Sequence, residues 1–149
     1  NPNQPLPEEL LVSNFDLKPL FKNQENIKIV QEAMYSSSNE PGGTSYRSRL
    51  EDKRFTFAGK TGSSQIRKFT EEQREAEVKQ EQLKYENRDH ALFIAFAPVK
   101  DPKYAISVVV EHGGTGSSAA APIAKKVIKK VLERHSLRQS INNLPGDPI

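Results

Sequence analysis

With 149 residues, of which 35% are apolar and 28% charged, the chain can bury one real core and is too short to make two domains comfortably. A net charge of +3, with acids mixed among the bases, lacks the basic stripe and interleaved aromatics of a nucleic-acid surface, and no apolar run approaches the roughly 20 residues that cross a bilayer. The absence of cysteine removes disulfides and thiolate metal sites, and His90, His112 and His135 lack ligand spacing, so neither a metal nor another cofactor is expected.

Residues 1–22 are punctuated by proline and are expected to run as an extended loop over a larger body. The chain opens on Asn1-Pro2 and its single methionine is Met34, so we expect a piece of a longer protein, with any membrane anchor upstream. From about residue 25 to 37, Ile27, Val30, Ala33 and Met34 recur at helical spacing, with Asn23 or Asn26 as cap and "SSSNEPGG" as the stop. This helix is predicted to pack on a sheet. "RFTFAG" from Arg54 alternates, with Phe55 and Phe57 on one face, and predicts a half-exposed strand. Residues 66–90 are so rich in charge that burial cannot offset chain entropy, which predicts an exposed excursion with at most a helical turn.

"ALFIAFAPV" and "YAISVVVEH" flank an Asp-Pro turn and predict an antiparallel hairpin covered on both faces. After "GGTGSS" a helix is predicted from Ser118 to about His135, with Ile123, Val127 and Val131 on one line and Ala124, Ile128 and Leu132 beside it. Lys125, Lys126, Lys129, Lys130 and Arg134 on that helix read as a solvated face suited to the negative end of the helix dipole. The order of elements gives an α+β fold, an antiparallel sheet flanked by helices. Residues 1–135 read as one unit, 65–90 as its charged insertion and 136–149 as a disordered tail.

"FTFAGKTGSSQ" holds two overlapping motifs. As Gly59-Lys60-Thr61 it resembles the tail of a phosphate-binding loop, but Arg54 stands where that loop needs its first glycine, and Gly62 opposes the helix that must begin at the lysine. As Lys60-Thr61-Gly62, at the end of an alternating strand, it suits a groove that binds an extended substrate. Lys60 offers a compact positive charge to a carboxylate, Thr61 and Ser63 offer hydroxyl donors, and Gly62 lets a substrate approach the backbone.

The blocks "EAMYSSSNEPGGTSYRS", "AGKTGSSQ", "RDHALFIAFAP", "YAISVVVEHGG" and "GSSAAAPIAKKVIKKVLE" together resemble the C-terminal third of the transpeptidase domain in the penicillin-binding protein 2 family, the monofunctional, elongation-type enzymes that cross-link peptidoglycan. The resemblance spans roughly residues 10–135. It implies a five-stranded antiparallel sheet with helices on both faces, in which residues 54–65 are the third strand, 91–99 the fourth, 104–112 the fifth and 118–134 the C-terminal helix. It further implies that Lys60, Thr61 and Ser63 hold the terminal carboxylate of a peptide stem or a β-lactam, with Gly62 beneath. The backbone N–H of Ser63, where the family often has threonine, would supply half of an oxyanion hole, so Lys60 and Ser63 are the expected catalytic contributors. The expected setting is the periplasmic face of a bacterial inner membrane.

No serine is followed three residues later by lysine, so the nucleophile of the family's Ser-x-x-Lys motif is not in this chain. Ser37-Ser38-Asn39 and Ser140-Ile141-Asn142 match the second motif, Ser-x-Asn, only nominally. The chain is therefore expected to be inactive alone and to depend on the remainder of a parent chain. Residues 104–112 would then present an unpaired edge able to self-associate. A serine β-lactamase or D,D-carboxypeptidase relative shares the strand motif, and a non-catalytic peptide-recognition module is the alternative outside enzymes. Asp89 and His90 are adjacent on a strand and point to opposite faces, so they are read as structural, as is His112.

Overall fold

The computed structural model describes residues 23–66 and 79–142. The expectations for residues 1–22, the middle of the charged insertion and the last seven residues lie outside the described residues. In chain order come helix α1 (Gln24–Asn39), two 3-10 turns (Tyr46–Ser48 and Lys53–Phe55) and strand β1 (Ala58–Ser64). Two further 3-10 turns (Gln80–Gln82 and Tyr85–Asn87) precede strands β2 (His90–Ala97) and β3 (Tyr104–Val110), and a π turn (Gly116–Ala120) leads into helix α2 (Ala121–Asn142).

The three strands form one antiparallel sheet in the order β1-β2-β3, with β1 and β3 as its edges among the described residues. Lys60 stands opposite Ile94, which stands opposite Ser107, and these three share one face. Thr61, Phe93 and Val108 lie across from one another on the other face. That second face carries the core, where Ala91, Phe93, Ala95 and Ala97 of β2 meet Ala120, Ala121, Ala124, Ile128 and Leu132 on the helical side. Alanines on both partners let helix and sheet approach closely. The large payload comes from Phe93, fully buried and worth about 1.5–3 kcal/mol. Its ring meets Phe57 edge-on, with centroids 6.1 Å apart and planes at 89°.

Of the two apolar lines predicted on the last helix, Ala124, Ile128 and Leu132 are buried, whereas Ile123 and Val127 stay exposed. The helix also runs on to Asn142 instead of ending near His135. Residues 136–142 are mostly polar but contain no glycine or proline, so nothing in them breaks the backbone ladder.

Three other expectations are corrected, and one alternative is decided. Among the described residues the hairpin is covered by a layer on one face only: Ile94 (52% exposed) and Val109 (59%) look outward from the other. The expected apolar stripe of α1 is not what docks it, since Val30 and Ala33 are exposed and the fully buried residue of the helix is Ser38. Asn23, not Asn26, is the cap, its side chain accepting from the N–H of Glu25 at 2.9 Å. The strand begins at Ala58, four residues after Arg54, because Asp52 captures both the N–H (3.0 Å) and the guanidinium of Arg54 and winds a 3-10 turn there.

The charged insertion is anchored at its ends by Asp89, which is 8% exposed. One carboxylate oxygen accepts from Gln80 Nε2 at 2.9 Å and the other from the N–H of Ile66 at 3.4 Å, while the Asp89 N–H donates back to Gln80 Oε1 at 2.9 Å. Residues 79–90 are therefore folded turns rather than a loose excursion.

Candidate functional site

The Lys60–Ser63 segment lies on β1, at an open margin of the sheet. Its position is fixed from behind by Phe93, whose ring fills the place where a side chain on Gly59 would go, so only glycine lets the strand lie this close to β2. From the side it is fixed by the last turn of α1. Ser38 Oγ accepts from the Gly59 N–H at 3.0 Å and donates to the Gly59 carbonyl at 3.1 Å. Asn39 Nδ2 donates to the Phe57 carbonyl at 2.8 Å. A buried edge strand would otherwise leave these backbone groups without partners, at about 1–3 kcal/mol each.

This clamp stops at Gly59. In an antiparallel ladder the N–H and C=O of one residue point the same way and alternate along the strand, so the backbone groups of Thr61 and Ser63 share the outward direction of Gly59. Ser63 is exposed, Thr61 and Gly62 are half-buried, and Lys60 is exposed. Lys60 Nζ reaches over the margin to donate to the Thr61 carbonyl at 2.9 Å. The ion pairs among the described residues are Arg54 with Asp52, Lys103 with Asp101 and Lys129 with Glu133, which leaves the Lys60 ammonium without a carboxylate. An uncompensated charge beside hydroxyl and N–H donors is the electrostatic arrangement that receives an anion.

Thr44 enters from the connection after α1. Gly43 allows this, because a side chain there would collide with the Ser36 and Ser37 carbonyls. Thr61 Oγ1 donates to Thr44 Oγ1 at 3.0 Å, and Thr44 Oγ1 lies 3.2 Å from Ser37 Oγ. Ser37, Ser38 and Thr44 carry no local sequence signal for these roles. The serine run reads as a helix stop, and only the long-range contact with β1 distinguishes it. The nominal Ser37-Ser38-Asn39 motif is thus occupied in holding β1 by Ser38 and Asn39.

Asp89, His90 and His112 sit apart from Lys60, toward the opposite end of β1, where His90 pairs with Ser64. His90 Nδ1 accepts from the His112 N–H at 2.9 Å, the two rings meet at 4.9 Å, and Tyr85 covers His112 at 5.0 Å. These contacts pin the ends of the insertion, as Asp89 does. A concavity of about 800 Å³ lies elsewhere, between α2 and residues 50–55, lined by Lys125, Lys129 and Arg134 together with Glu51 and Glu133. Its mixed charge and distance from the strand margin separate it from the Lys60 site.

Residues 18–129 match the family described as the penicillin binding protein transpeptidase domain. The chain is 34% identical over 105 residues to the peptidoglycan D,D-transpeptidase MrdA of Salmonella typhimurium, covering 70% of this chain and 16% of that protein. To MrdA of Haemophilus influenzae it is 36% identical over 112 residues, covering 75% and 17%. Among solved structures, it superposes on the penicillin-binding protein PBP2 of Helicobacter pylori, in complex with MreC, with a TM-score of 0.59 and 31% identity, covering 73% of this chain and 17% of that one. PBP2 of Pseudomonas aeruginosa, in complex with WCK 5153, gives a TM-score of 0.54 and 29% identity, covering 77% and 22%.

Proposed function

Since the chain belongs to the penicillin binding protein transpeptidase family, we propose that it forms the substrate-binding wall of a peptidoglycan D,D-transpeptidase of the PBP2 kind. The chain spans about a sixth of the length of the curated relatives it matches, 16% and 17%. The nucleophilic serine and its lysine base then come from the rest of a parent protein. Lys60 and the Thr61 and Ser63 hydroxyls receive the carboxylate at the end of a peptide stem, or that of a β-lactam, and the Ser63 N–H donates to the oxyanion as the acyl bond is attacked. A lost oxyanion donor typically raises the barrier by about 2.7–4 kcal/mol.

The observation that carries this reading is the sharp end of the α1 clamp. Among the described residues the α1 clamp closes the edge through Gly59 and goes no further, so a peptide can add alongside the strand only where the lysine and the hydroxyls stand. On this reading the wall works on the periplasmic side of the inner membrane, where peptide stems are found. The β3 edge, Tyr104–Val110, is covered by another strand of the parent or, in the chain by itself, by a second copy.

The test is acylation by a fluorescent penicillin. The full-length protein is expected to be labelled, Lys60→Ala to reduce the labelling rate at least tenfold, and the 149-residue chain by itself to remain unlabelled. Covalent labelling of that chain, or an undiminished rate for Lys60→Ala, overturns the assignment.

A further inference from the structure

Resting on the carboxylate-binding role of Thr61, we propose that Thr44, backed by Ser37, is a positioning residue that holds the Thr61 hydroxyl where an incoming carboxylate meets it. The Thr61 hydroxyl donates to Thr44 Oγ1 at 3.0 Å, and Thr44 Oγ1 lies 3.2 Å from Ser37 Oγ. Thr44 is itself exposed, so nothing in the core requires a hydroxyl there.

The backbone on both sides of Thr44 is tied down. The Gly43 N–H donates to the Glu40 carbonyl at 3.0 Å, and the Ser45 N–H donates to the Ser37 carbonyl at 3.0 Å. Ser45 Oγ adds a second bond to the same Ser37 carbonyl at 3.1 Å and lies 3.0 Å from the buried Ser38 Oγ. The oxygen presented to Thr61 is thus attached to the same turn of α1 that clamps Gly59. One rigid element sets both the strand and the rotamer of its first open residue.

A carboxylate arriving at the margin accepts a hydrogen bond from the Thr61 hydroxyl. The O–H rotates about its C–O bond from Thr44 to the anion, exchanging a neutral hydrogen bond for a charge-assisted one of roughly twice the strength. The Thr44 hydroxyl then donates to Thr61 Oγ1 and accepts from Ser37 Oγ, whose 3.2 Å contact allows either donor, so the Thr61–Thr44 contact persists with its direction reversed and no hydroxyl is stranded. Without the Thr44 oxygen the Thr61 side chain is released to its other staggered wells, and the competent one is diluted by about threefold. Loss of one neutral hydrogen bond corresponds to about 2- to 12-fold in a rate or equilibrium. An effect of about 3- to 10-fold on carboxylate recognition follows.

The experiment compares Thr44→Val, Thr44→Ser and Thr61→Val in the full-length protein, measuring the second-order acylation rate with a penicillin and with its methyl ester. Thr44→Val is expected to slow acylation by the free acid about 3- to 10-fold and to leave the ester rate within about twofold. Thr44→Ser, which restores the oxygen, is expected to retain the wild-type ratio. An equal loss with acid and ester makes Thr44 merely structural and overturns the proposal, as does an unchanged acid rate. Thr61→Val separates the two levels of argument. If it abolishes the preference for the acid while Thr44→Val does not, the positioning role fails and the substrate wall stands; if it leaves the preference intact, the wall assignment fails as well.

Discussion

Gly59→Ala tests the packing that holds the substrate margin in place. The added methyl falls into the tip of the Phe93 ring and lies 2.9 Å from the Ile94 carbonyl oxygen. Phe93 cannot swing aside, because it is fully buried and wedged edge-on against Phe57 at 6.1 Å. The Ile94 oxygen belongs to the strand backbone and yields only if the sheet moves. Overpacking of this kind costs about 1–3 kcal/mol, and the backbone contact argues for the upper half of that range. Restricting the unfolded chain by replacing glycine returns about 0.4–1 kcal/mol. The net expectation is a loss of about 2 kcal/mol, read as a lower urea midpoint at unchanged slope. Phe93→Leu removes the ring tip, so the double variant is expected to be more stable than the sum of the two single losses by at least about 1 kcal/mol. An unchanged midpoint for Gly59→Ala, or strict additivity in the pair, refutes the account of why glycine precedes Lys60.

Ser38→Ala strips both partners from the Gly59 backbone and is expected to destabilise by about 1–3 kcal/mol and to speed exchange of the Gly59 amide hydrogen; unchanged protection of that amide contradicts the clamp. Hydrogen bonds from the Arg54 side chain and backbone hold the Asp52 carboxyl at a pKa of about 2. Because its folded pKa is depressed, its contribution is present above the ordinary carboxylate value and is lost as pH falls through about 2. A carbon-detected NMR titration is expected to find that low midpoint, and Arg54→Ala to return it toward the ordinary range; a normal midpoint in the wild type refutes the pair. The 149-residue chain by itself is expected to self-associate through β3 at micromolar concentration, and Val109→Lys, which charges an exposed position on that edge strand, to shift it toward monomer in sedimentation velocity. A monomer in the wild type sinks the edge argument.

Apolar patterning located both helices and the two hairpin strands because it is a local property. It also located the helical half of the core, since Ala124, Ile128 and Leu132 repeat on one line and are buried. Where it failed, a competing local or long-range interaction decided. The strand was expected from Arg54, but the hydrogen bond that the Arg54 N–H donates to the Asp52 side chain wins at that point and delays it to Ala58. The hairpin strands are apolar on both faces, which argued for two covering layers, yet only one layer is present among the described residues. Lys60, Thr61 and Ser63 could be singled out as candidates because the motif is contiguous. Ser38 and Thr44 could not be, since their partners lie 21 and 17 residues away and a run of serines before a glycine pair looks like an ordinary helix stop.

If the margin receives a peptide as proposed, the place where the α1 clamp ends also limits how much of it can be read. Outward-facing backbone groups recur every second residue, and Gly59 is already engaged by Ser38, so an added chain meets its first outward pair at Thr61, whose carbonyl Lys60 Nζ can release, and its next at Ser63. Those two positions lie about 6.6–6.8 Å apart along a strand, the span of a single dipeptide. Beyond Ser63 the strand ends at Ser64, where it pairs with His90 and the anchored turns of the insertion begin. An edge bounded at both ends in this way can align two residues of an extended chain and no more. With Lys60 reaching to the Thr61 carbonyl, the positive charge stands at one end of that short register, so a peptide terminating in a carboxylate has one alignment in which charge and ladder agree. On the proposed role, a longer or internally placed segment would leave the ammonium unpaired or lose a backbone bond, and such a wall would on that basis distinguish the end of a peptide stem from its middle.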